Sequence, residues 1–395
     1  MILGFHYHIP AIKKDNHIYL PGYLGVFLDG LASHCQELIC YMHTPLSNEM
    51  YKMDYKITSS NIKLINIGSH INVFKRVLKH KSFLKNIESD IKQQKIDLFL
   101  IRAPSPLLPF ITKICIENHL KYSYLIVGNY LKNLKETKNI IYPKRFFLSL
   151  FYKYNKYYQD KYAKNSLLFT NNPTIFNEYK TYNIYEIRTT TLREKDFYFK
   201  KDFYKKEELN LLYAGRIEPS KGIDDILSAM QMLIKENIKV IFHLVGWDDS
   251  KNEIYLTAIQ KKVQQLNLTN NFIFHGKKSV GKELFTMYRK SDIYILATNG
   301  DEGFPRTIWE AMANSSIVIS TNAGSIGNIL TDRHNVLLVN KNSPIEIFSS
   351  IIELLNNNNL RDKIREEGFK LSKTNTIEKQ SIKMISIIKD YLRNE

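Results

Sequence analysis

The chain alternates short apolar runs with longer amphipathic stretches, and it keeps this rhythm over most of its length. Apolar runs bounded by turn residues are typical of buried strands, whereas apolar residues that repeat every three to four positions are typical of helices. Regular alternation of the two favours a parallel sheet covered by helices on both faces. In the first half, the pattern predicts strands at 2–7, 40–43, 63–67, 97–101 and 123–127, and helices at 26–39, 74–94, 107–117 and 145–164.

The same rhythm resumes after a charged segment without periodicity at 188–208, which we interpret as a linker between two domains. A chain of 395 residues is also long for a single hydrophobic core. We therefore predict an α/β protein with two doubly wound parallel sheets. In the second half, the pattern predicts strands at 209–213, 239–245, 271–275, 293–297, 316–320 and 336–339, and helices that include 223–234, 358–370 and 377–392.

Positive charge is concentrated in the first half of the chain. Residues 1–200 hold 29 Lys and Arg against 15 Asp and Glu, a balance of +14, while the whole chain carries +17. Such a surface suits nucleic acid, an anionic membrane or a phosphorylated substrate. We see no known nucleic-acid motif, so we expect no nucleic-acid partner. A lysine-rich composition without functional meaning is the alternative, and the asymmetry between the halves argues against it.

Cysteine usage and hydropathy indicate the compartment. Cys35, Cys40 and Cys115 are too few and too irregularly spaced for a disulfide framework or a zinc site. The first residues show no basic segment followed by an apolar one, so we expect no signal peptide. No run of about 18 apolar residues predicts a membrane-spanning helix. These features favour a reducing, cytoplasmic location.

A first chemically distinctive segment runs from Tyr213 to Gly222, between a predicted strand and a predicted helix. It contains Gly215 and two cations, Arg216 and Lys221. Ligands of open α/β sheets bind outside the carboxyl ends of the strands, where this segment lies. Arginine offers a planar fork and lysine a point charge, and both suit a diphosphate. A solvated loop with a lysine at a helix start is the alternative.

A second segment places Glu302 and Glu310 eight positions apart, with a Gly-Phe-Pro turn and an apolar helical pattern between and after them. Pro305 suits the first turn of a helix because its missing N–H would have no intrahelical partner there. The N–H groups of Arg306 and Thr307 then point out of the helix start, where the helix dipole favours an anion. We therefore predict an anion site at this helix start.

Together these segments resemble the retaining GT-B glycosyltransferases of glycosyltransferase family 4, also called glycosyl transferases group 1. The resemblance is strong over about 209–370 and weak before that. It implies a GT-B fold, with two Rossmann-like domains that face a cleft. Residues 1–200 would bind the acceptor, 201–375 would bind the nucleotide sugar, and a last helix at 376–395 would cross back to the first domain. The implied activity is sugar transfer with retention, of the hexosyltransferase type (EC 2.4).

The resemblance also implies roles for individual residues. Glu302 would hold the transferring sugar near its anomeric centre, and together with Arg216 and Lys221 it would be catalytic. Glu310 would accept hydrogen bonds from both ribose hydroxyls. Residues just after the predicted strand 271–275 would meet the nucleobase. The implied donor-binding set is Gly215, Arg216, Lys221, Lys277, Gly303, Phe304, Pro305, Arg306, Thr307 and Glu310.

In the first domain, Gly22 and Gly25 precede or begin an amphipathic stretch and would let the backbone approach a substrate closely. Many family members carry a His-Asp pair after a first-domain strand, and the comparable position here is Asn129. Arg102, at the end of another predicted strand, is a further residue expected at the cleft, although a salt bridge between the domains would explain it equally well. These four residues form the predicted acceptor side.

No Asp-x-Asp pair occurs in the sequence, so we expect no metal and no other cofactor. The aromatic and basic pattern of 145–164 suits an anionic bilayer and a lipid-linked glycan acceptor. This would place the protein at the inner face of a bacterial inner membrane, in O-antigen or capsule assembly. Three alternatives stay open: a buried core helix at 145–164, a soluble sugar- or glucan-acceptor transferase, and a non-catalytic nucleotide-sugar-binding protein.

Overall fold

The computed structural model describes residues 1–93, 96–128, 131, 134, 142–200, 208–300 and 303–393. The chain forms two compact units. The first consists of Met1–Thr189 together with Gln380–Glu395, and the second consists of Thr190–Lys379.

Within the described residues, the first unit contains a seven-stranded parallel sheet. Its strand order is β10-β9-β8-β7-β1-β4-β6. The strands of the unit are β1 (Ile2–His6), β2 (Ile12–Lys14), β3 (His17–Leu20), β4 (Glu37–Thr44), β5 (Tyr55–Lys56), β6 (Ile62–Ser69), β7 (Leu98–Ala103), β8 (Tyr122–Ile126), β9 (Leu167–Thr170) and β10 (Ile184–Glu186).

Helices cover this sheet. Every residue of β7 is buried, as expected for a parallel strand with helices on both faces. Tyr41 and Phe99 stack with their ring centroids 5.4 Å apart beneath the helices of one face. The helices are α1 (Gly22–Ala32), α2 (Val73–Leu78), α3 (His80–Gln93), α4 (Leu108–Glu117), α5 (Tyr142–Ala163) and α6 (Pro173–Glu178).

The structure corrects two helix predictions in this unit. The predicted helix 26–39 ends earlier, because α1 stops at Ala32 and β4 begins at Glu37. The overrun crosses the turn at 33–36 and takes in Leu38 and Ile39, which are apolar and buried on β4. A short buried apolar run has no periodicity that separates strand from helix. The predicted helix 74–94 is two helices that part at Lys79. A small antiparallel sheet of β2, β3 and β5 was not predicted at all.

The second unit, in its described part, contains a six-stranded parallel sheet with the order β13-β12-β11-β14-β15-β16. The six strands predicted from the apolar pattern are confirmed to within a few residues. The strands are β11 (Leu209–Arg216), β12 (Val240–Trp247), β13 (Phe272–Phe274), β14 (Ile293–Leu296), β15 (Ile317–Thr321) and β16 (Leu337–Val339). The helices are α7 (Ile223–Lys235), α8 (Ile254–Gln265), α9 (Lys282–Lys290), α10 (Arg306–Ala313), α11 (Ile326–Ile329), α12 (Pro344–Asn356) and α13 (Asn358–Ser372).

The last helix, α14 (Ile377–Arg393), begins in the second unit, and its residues from Gln380 onward belong to the first. The side-chain oxygen of Gln380 accepts a hydrogen bond from the Arg188 amide at 2.8 Å. The ammonium of Lys383 donates to the Glu186 carbonyl oxygen at 2.7 Å. The predicted fold class, an α/β chain with two parallel sheets of Rossmann type, is thus confirmed.

Candidate functional site

The ends of β11 and β12 lie side by side, and Arg216 pairs with Trp247 at the last position of their register. A Cβ atom at Gly246 would lie 1.9 Å from the carbonyl oxygen of Gly215, so only glycine allows the two strand ends to come this close. The Tyr213 hydroxyl donates to the Arg216 carbonyl oxygen at 2.6 Å. The backbone of Arg216 is therefore held at the carboxyl edge of the sheet, where open α/β sheets bind ligands.

A single carboxylate joins the two predicted diphosphate-binding cations. Lys221 lies 3.4 Å and Arg216 lies 3.2 Å from opposite oxygens of Glu218. Lys221 is 6% exposed, whereas the Arg216 side chain is 53% exposed. Burial lowers the pKa of Lys221 below its ordinary value of 10.5, and the attraction of Glu218 offsets this only in part. The cluster thus carries one net positive charge, with a buried ammonium beside an accessible guanidinium.

The segment that holds Lys221 is tied to the segment that follows β14. The Ser220 carbonyl oxygen accepts hydrogen bonds from the Asn299 amide at 2.8 Å and from the Thr298 hydroxyl at 3.1 Å. Gly222 has φ of +64°, and a Cβ atom there would lie 2.0 Å from the Ala297 carbonyl oxygen. The start of α10 reaches the same edge through Tyr294, whose hydroxyl lies 3.4 Å from the Ala214 carbonyl oxygen of β11 and donates to the Thr307 hydroxyl at 2.7 Å. This contact brings the two sequence motifs together.

Helix α10 begins at Arg306, one residue later than its proline suggested. Pro305 occupies the N-cap with extended ψ of 123° and has no side chain that could cap the first amides. Gly303 and Phe304 lead into this turn, and the Phe304 ring stacks on Trp309 with centroids 4.2 Å apart. The first turn contains no acidic residue. The helix start therefore presents a positive dipole end whose entry is fixed by aromatic packing.

Thr307 and Glu310 continue the helix into the core of the second unit. The Thr307 hydroxyl accepts from the Tyr294 hydroxyl at 2.7 Å. Glu310 is 2% exposed; one of its oxygens accepts from Thr191 and the other from Tyr288 at 2.9 Å. Burial and the neighbouring carboxylate raise the pKa of Tyr288 far above its ordinary range. Both oxygens of Glu310 thus have protein partners, and its contact with a ribose stays a prediction that requires an exchange of partners.

Lys277 lies beside Trp247 at the edge of the same sheet. Its ammonium is 5.4 Å from the centroid of the Trp247 ring. The indole N–H of Trp247 is buried and has no hydrogen-bond partner among the described residues. An aromatic face and a donor at this edge suit a nucleobase, and the role expected for Lys277 stays a prediction. Two predicted residues, Glu302 and Asn129, lie outside the described residues.

The predicted acceptor residues of the first unit have identifiable neighbours. The Gly22 amide donates to Asp54 at 2.8 Å. A Cβ atom at Gly25 would lie 2.2 Å from the Tyr55 ring, so packing alone accounts for this glycine. Arg102 is 8% exposed at the end of β7. Their contact with an acceptor stays a prediction.

The described part of the chain contains no group of three or more His, Cys, Asp or Glu side chains that could hold a metal ion. Arg216, Lys221 and the start of α10 place positive charge near the predicted diphosphate position.

Sequence reasoning missed four residues of this site. Glu218 lies within the first motif, and its position between two cations in the sequence could have predicted an ion pair with them. Trp247 follows a glycine at the end of a predicted strand, which was a weaker one. Thr191 and Tyr288 gave no local signal, because they reach Glu310 from positions 119 and 22 residues away in the chain.

Known proteins are similar to part of this chain in sequence. Residues 194–371 match the family model described as Glycosyl transferases group 1. An uncharacterized glycosyltransferase of Methanocaldococcus jannaschii is 33% identical over 172 residues, which cover 42% of this chain and 44% of the relative. The lipopolysaccharide 1,2-N-acetylglucosaminetransferase of Salmonella typhimurium is 31% identical over 126 residues, which cover 31% of this chain and 32% of the relative. The chain thus spans less than half the length of these curated relatives.

The fold has a solved counterpart. The crystal structure of Anabaena HepE in complex with UDP-glucose matches with a TM-score of 0.71 at 13% identity, covering 98% of this chain and 99% of the other. At this sequence identity the match shows the fold alone. Residues 194–371 are thus similar to the glycosyl transferases group 1 family, in a chain that has the GT-B fold.

Proposed function

We propose that this chain transfers a sugar from a nucleoside-diphosphate donor to an acceptor hydroxyl, with retention of the anomeric configuration. One observation carries the proposal: Arg216 and Lys221 share the Glu218 carboxylate at the carboxyl end of β11, and the Tyr294 hydroxyl links that strand end, at the Ala214 carbonyl oxygen, to Thr307 in the first turn of α10. The family match of residues 194–371 supports the activity, and HepE, crystallised with UDP-glucose, supports the class of donor.

The proposed chemistry uses these cations on the leaving group. As the glycosidic bond breaks, the diphosphate gains negative charge, which the guanidinium, the ammonium and the helix-start amides stabilise. Removal of one such preorganised donor typically lowers kcat by about 10²–10³. The same groups would take the role that a divalent ion has in metal-dependent transferases.

Retention follows in this proposal from attack on the face that the diphosphate leaves. The acceptor oxygen forms the new bond to the anomeric carbon, the bond to the phosphate oxygen breaks, and that oxygen takes the acceptor proton. Glu302 would hold the sugar near the anomeric centre. NMR of the first-formed product decides this point, because an inverted anomer would refute retention.

The nucleotide site is tested by thermal shift with UDP, GDP, ADP and their sugars. A ligand at about 100 times its dissociation constant should stabilise the protein by about 2.7 kcal/mol. The double variant Arg216→Gln/Lys221→Gln should lose this shift and its turnover. Lys235→Gln, which removes one exposed positive charge at the end of α7, serves as the control and should keep both. Unchanged affinity in the double variant would overturn the proposal.

We further propose a lipid-linked glycan acceptor, in lipopolysaccharide O-antigen or capsule assembly at the inner face of a bacterial membrane. The Salmonella relative, a lipopolysaccharide N-acetylglucosaminetransferase, supports the substrate class. Large apolar side chains of α5 support the membrane contact. They lie at positions that share one helix face and are 42–61% exposed: Phe146, Phe147, Leu150, Tyr154 and Tyr157.

The charge of α5 fits an anionic surface. Tyr142–Ala163 contains five basic residues and one acidic residue, Asp160. Asp160 lies 2.5 Å from the ammonium of Lys156, so its charge is compensated within the protein. No helix of the described residues has the length and apolarity to cross a bilayer. We therefore propose peripheral binding, with the aromatic side chains at the level of the lipid headgroups.

Flotation with phosphatidylglycerol and phosphatidylcholine vesicles tests this contact. We expect salt-sensitive binding to the anionic vesicles only. Phe147→Ser/Tyr157→Ser should weaken it at least tenfold, whereas Ile116→Ser, a 45% exposed apolar residue on α4, should not. Absence of salt-sensitive binding would end the membrane proposal and leave the nucleotide site untouched.

A further inference from the structure

Arg102 is a buried cation without an acidic partner in the part of the chain that the structure describes. Its side chain is 8% exposed, and its Nε atom is buried with no hydrogen-bond partner among the described residues. A buried charge that is neither paired nor hydrogen-bonded destabilises a protein. Such a residue therefore calls for a functional explanation.

Three aromatic rings surround the guanidinium. Its central carbon lies 4.7 Å from the ring centroid of Tyr7, 5.7 Å from that of Phe27 and 5.9 Å from that of Tyr23. Aromatic faces attract a cation and hold the plane of the guanidinium in place. They do not accept the N–H groups along its edge, which require oxygen acceptors in the plane of the group. The rings thus orient a fork whose acceptor is not among the described side chains.

Nearby carboxylates are engaged elsewhere. Asp29, further along α1, accepts hydrogen bonds from the Tyr55 hydroxyl at 2.7 Å and the Thr58 hydroxyl at 2.6 Å. Asp54 accepts from the Gly22 amide at the start of α1. The acidic groups around α1 therefore have their own partners, and neither of them forms an ion pair with Arg102.

The position of Arg102 suits a ligand. Strands β1 and β7 are parallel neighbours with His6 opposite Ile101, so Tyr7 and Arg102 both lie where the two strands end. Helix α1, which carries Tyr23 and Phe27, begins at the same edge and has no acidic residue in its first turn. The carboxyl edge of an open α/β sheet favours a ligand, whereas the first amide of α1 already donates to Asp54.

We propose that Arg102 binds a phosphate or diphosphate group of the acceptor. The identification of the ligand as the acceptor rests on the proposed glycosyl transfer, whereas the presence of an anion site at Arg102 does not. A guanidinium fork matches both phosphate and carboxylate. The excess of +14 in residues 1–200 favours the more highly charged phosphate.

The test titrates the full-length protein with four soluble probes by isothermal calorimetry. Farnesyl diphosphate represents a lipid phosphate, glucose 1-phosphate a sugar phosphate, inorganic phosphate the free anion, and glucuronate a carboxylate. We expect at least one phosphorylated probe to bind the wild-type protein, and Arg102→Gln to bind it at least tenfold more weakly, a loss of about 1.4 kcal/mol. Arg102→Lys should recover part of the affinity because it keeps the charge and loses the fork.

The preferred probe identifies the source of the phosphate. Preference for farnesyl diphosphate assigns it to a lipid carrier, and preference for glucose 1-phosphate assigns it to the glycan. The charge-matched control is Lys113→Gln, a 68% exposed lysine on α4, and it should bind like the wild type. Equal binding of glucuronate would overturn the assignment to phosphate. Phosphate binding that is the same in Arg102→Gln and the wild type would overturn the site.

Two further measurements separate this inference from a structural role and from the proposed function. Arg102→Met should melt at the same temperature as the unliganded wild type or higher, because it removes an unpaired buried charge. A lower melting temperature, with no stabilisation of the wild type by phosphate, would make Arg102 structural and overturn the proposal. Arg102→Gln should keep the nucleotide-induced shift, and it should lower the affinity for the phosphorylated probe by the same factor in an Arg216→Gln background as in the wild type. Arg102-dependent phosphate binding without any nucleotide affinity would support the anion site and sink the proposed transfer.

Discussion

The ammonium group of Lys221 lies 3.4 Å from a carboxylate oxygen of Glu218, and the other oxygen of that carboxylate lies 3.2 Å from Arg216. One carboxylate therefore already interacts with both cations that we expect to bind a diphosphate. A diphosphate bound here would compete with Glu218 for both of them. Nucleotide affinity should consequently depend on a residue that binds no ligand itself.

Replacement of Glu218 tests this competition. Glu218→Gln keeps the side-chain oxygen that accepts from the Ser220 hydroxyl, and it removes the negative charge. Because Arg216 is half-exposed, we expect a modest gain, a fall of the UDP dissociation constant by about threefold to tenfold, or about 1 kcal/mol. Calorimetric titration with UDP at low salt measures it. Glu236→Gln, an exposed acid after α7, should change nothing, and weaker UDP binding in Glu218→Gln would contradict the competition.

Lys221 predicts a pH dependence. Burial lowers its pKa below 10.5, so the unliganded protein loses this charge at a lower pH than an exposed lysine would. A diphosphate favours the charged form, so nucleotide affinity should fall as the pH rises through the lowered pKa, and binding there should take up a proton. Calorimetry at alkaline pH in buffers of different ionisation enthalpy detects that proton. This proton uptake should vanish in Lys221→Gln. Equal proton uptake in that variant would show that the titrating group is another residue.

The same shift has a consequence for folding. In the pH window between the lowered pKa of Lys221 and 10.5, the unfolded chain binds more protons than the folded one. The contribution of Lys221 to the stability of the unliganded protein therefore rises with pH through this window. The difference in melting temperature between the wild type and Lys221→Gln, followed over that window, measures the effect. If the melting temperature of the wild type does not rise relative to that of Lys221→Gln as the pH increases, this prediction is wrong.

The buried carboxylate of Glu310 predicts unequal effects of two tyrosine variants. Tyr288→Phe removes a hydrogen bond to a charged acceptor, and Tyr294→Phe removes one to the neutral Thr307 hydroxyl. Both tyrosines are fully buried, so their apolar packing is matched. We expect a loss of about 1.5–3 kcal/mol for Tyr288→Phe and about 1 kcal/mol for Tyr294→Phe. Scanning calorimetry of both variants measures this order, and the reverse order would show that Glu310 does not depend on Tyr288.

Gly222 and Gly276 form a natural pair for a backbone experiment. Their φ values are +64° and +65°. A Cβ atom at Gly222 would lie 2.0 Å from the Ala297 carbonyl oxygen, whereas a Cβ atom at Gly276 would have no neighbouring atom within 4 Å. Gly276→Ala should cost only the left-handed strain, about 1–2 kcal/mol. Gly222→Ala should cost more and should also weaken nucleotide binding, because it moves Lys221 with all charges kept. Thermal melts and UDP titration of both variants give the comparison; equal effects would show that the close approach to Ala297 is unimportant.

Local patterns of apolar residues predicted much of the fold. The apolar runs of the second half predicted all six of its described strands, because parallel strands buried on both faces read as continuous apolar segments. The same property misled the prediction at α1, where a helix was extended into the buried start of β4. The β2–β3–β5 sheet was missed because its strands have only two to four residues each.

The sequence by itself determined the α/β class and the order of the strands along the second unit. It also placed Arg216, Lys221 and the α10 start at strand and helix ends, because these features depend on periodicity and spacing within short segments. Tertiary structure alone decided that Thr191 and Tyr288 occupy both oxygens of Glu310 and that three aromatic rings enclose Arg102. Those contacts join residues far apart in the chain, and they depend on strand register and helix packing, which no local pattern encodes.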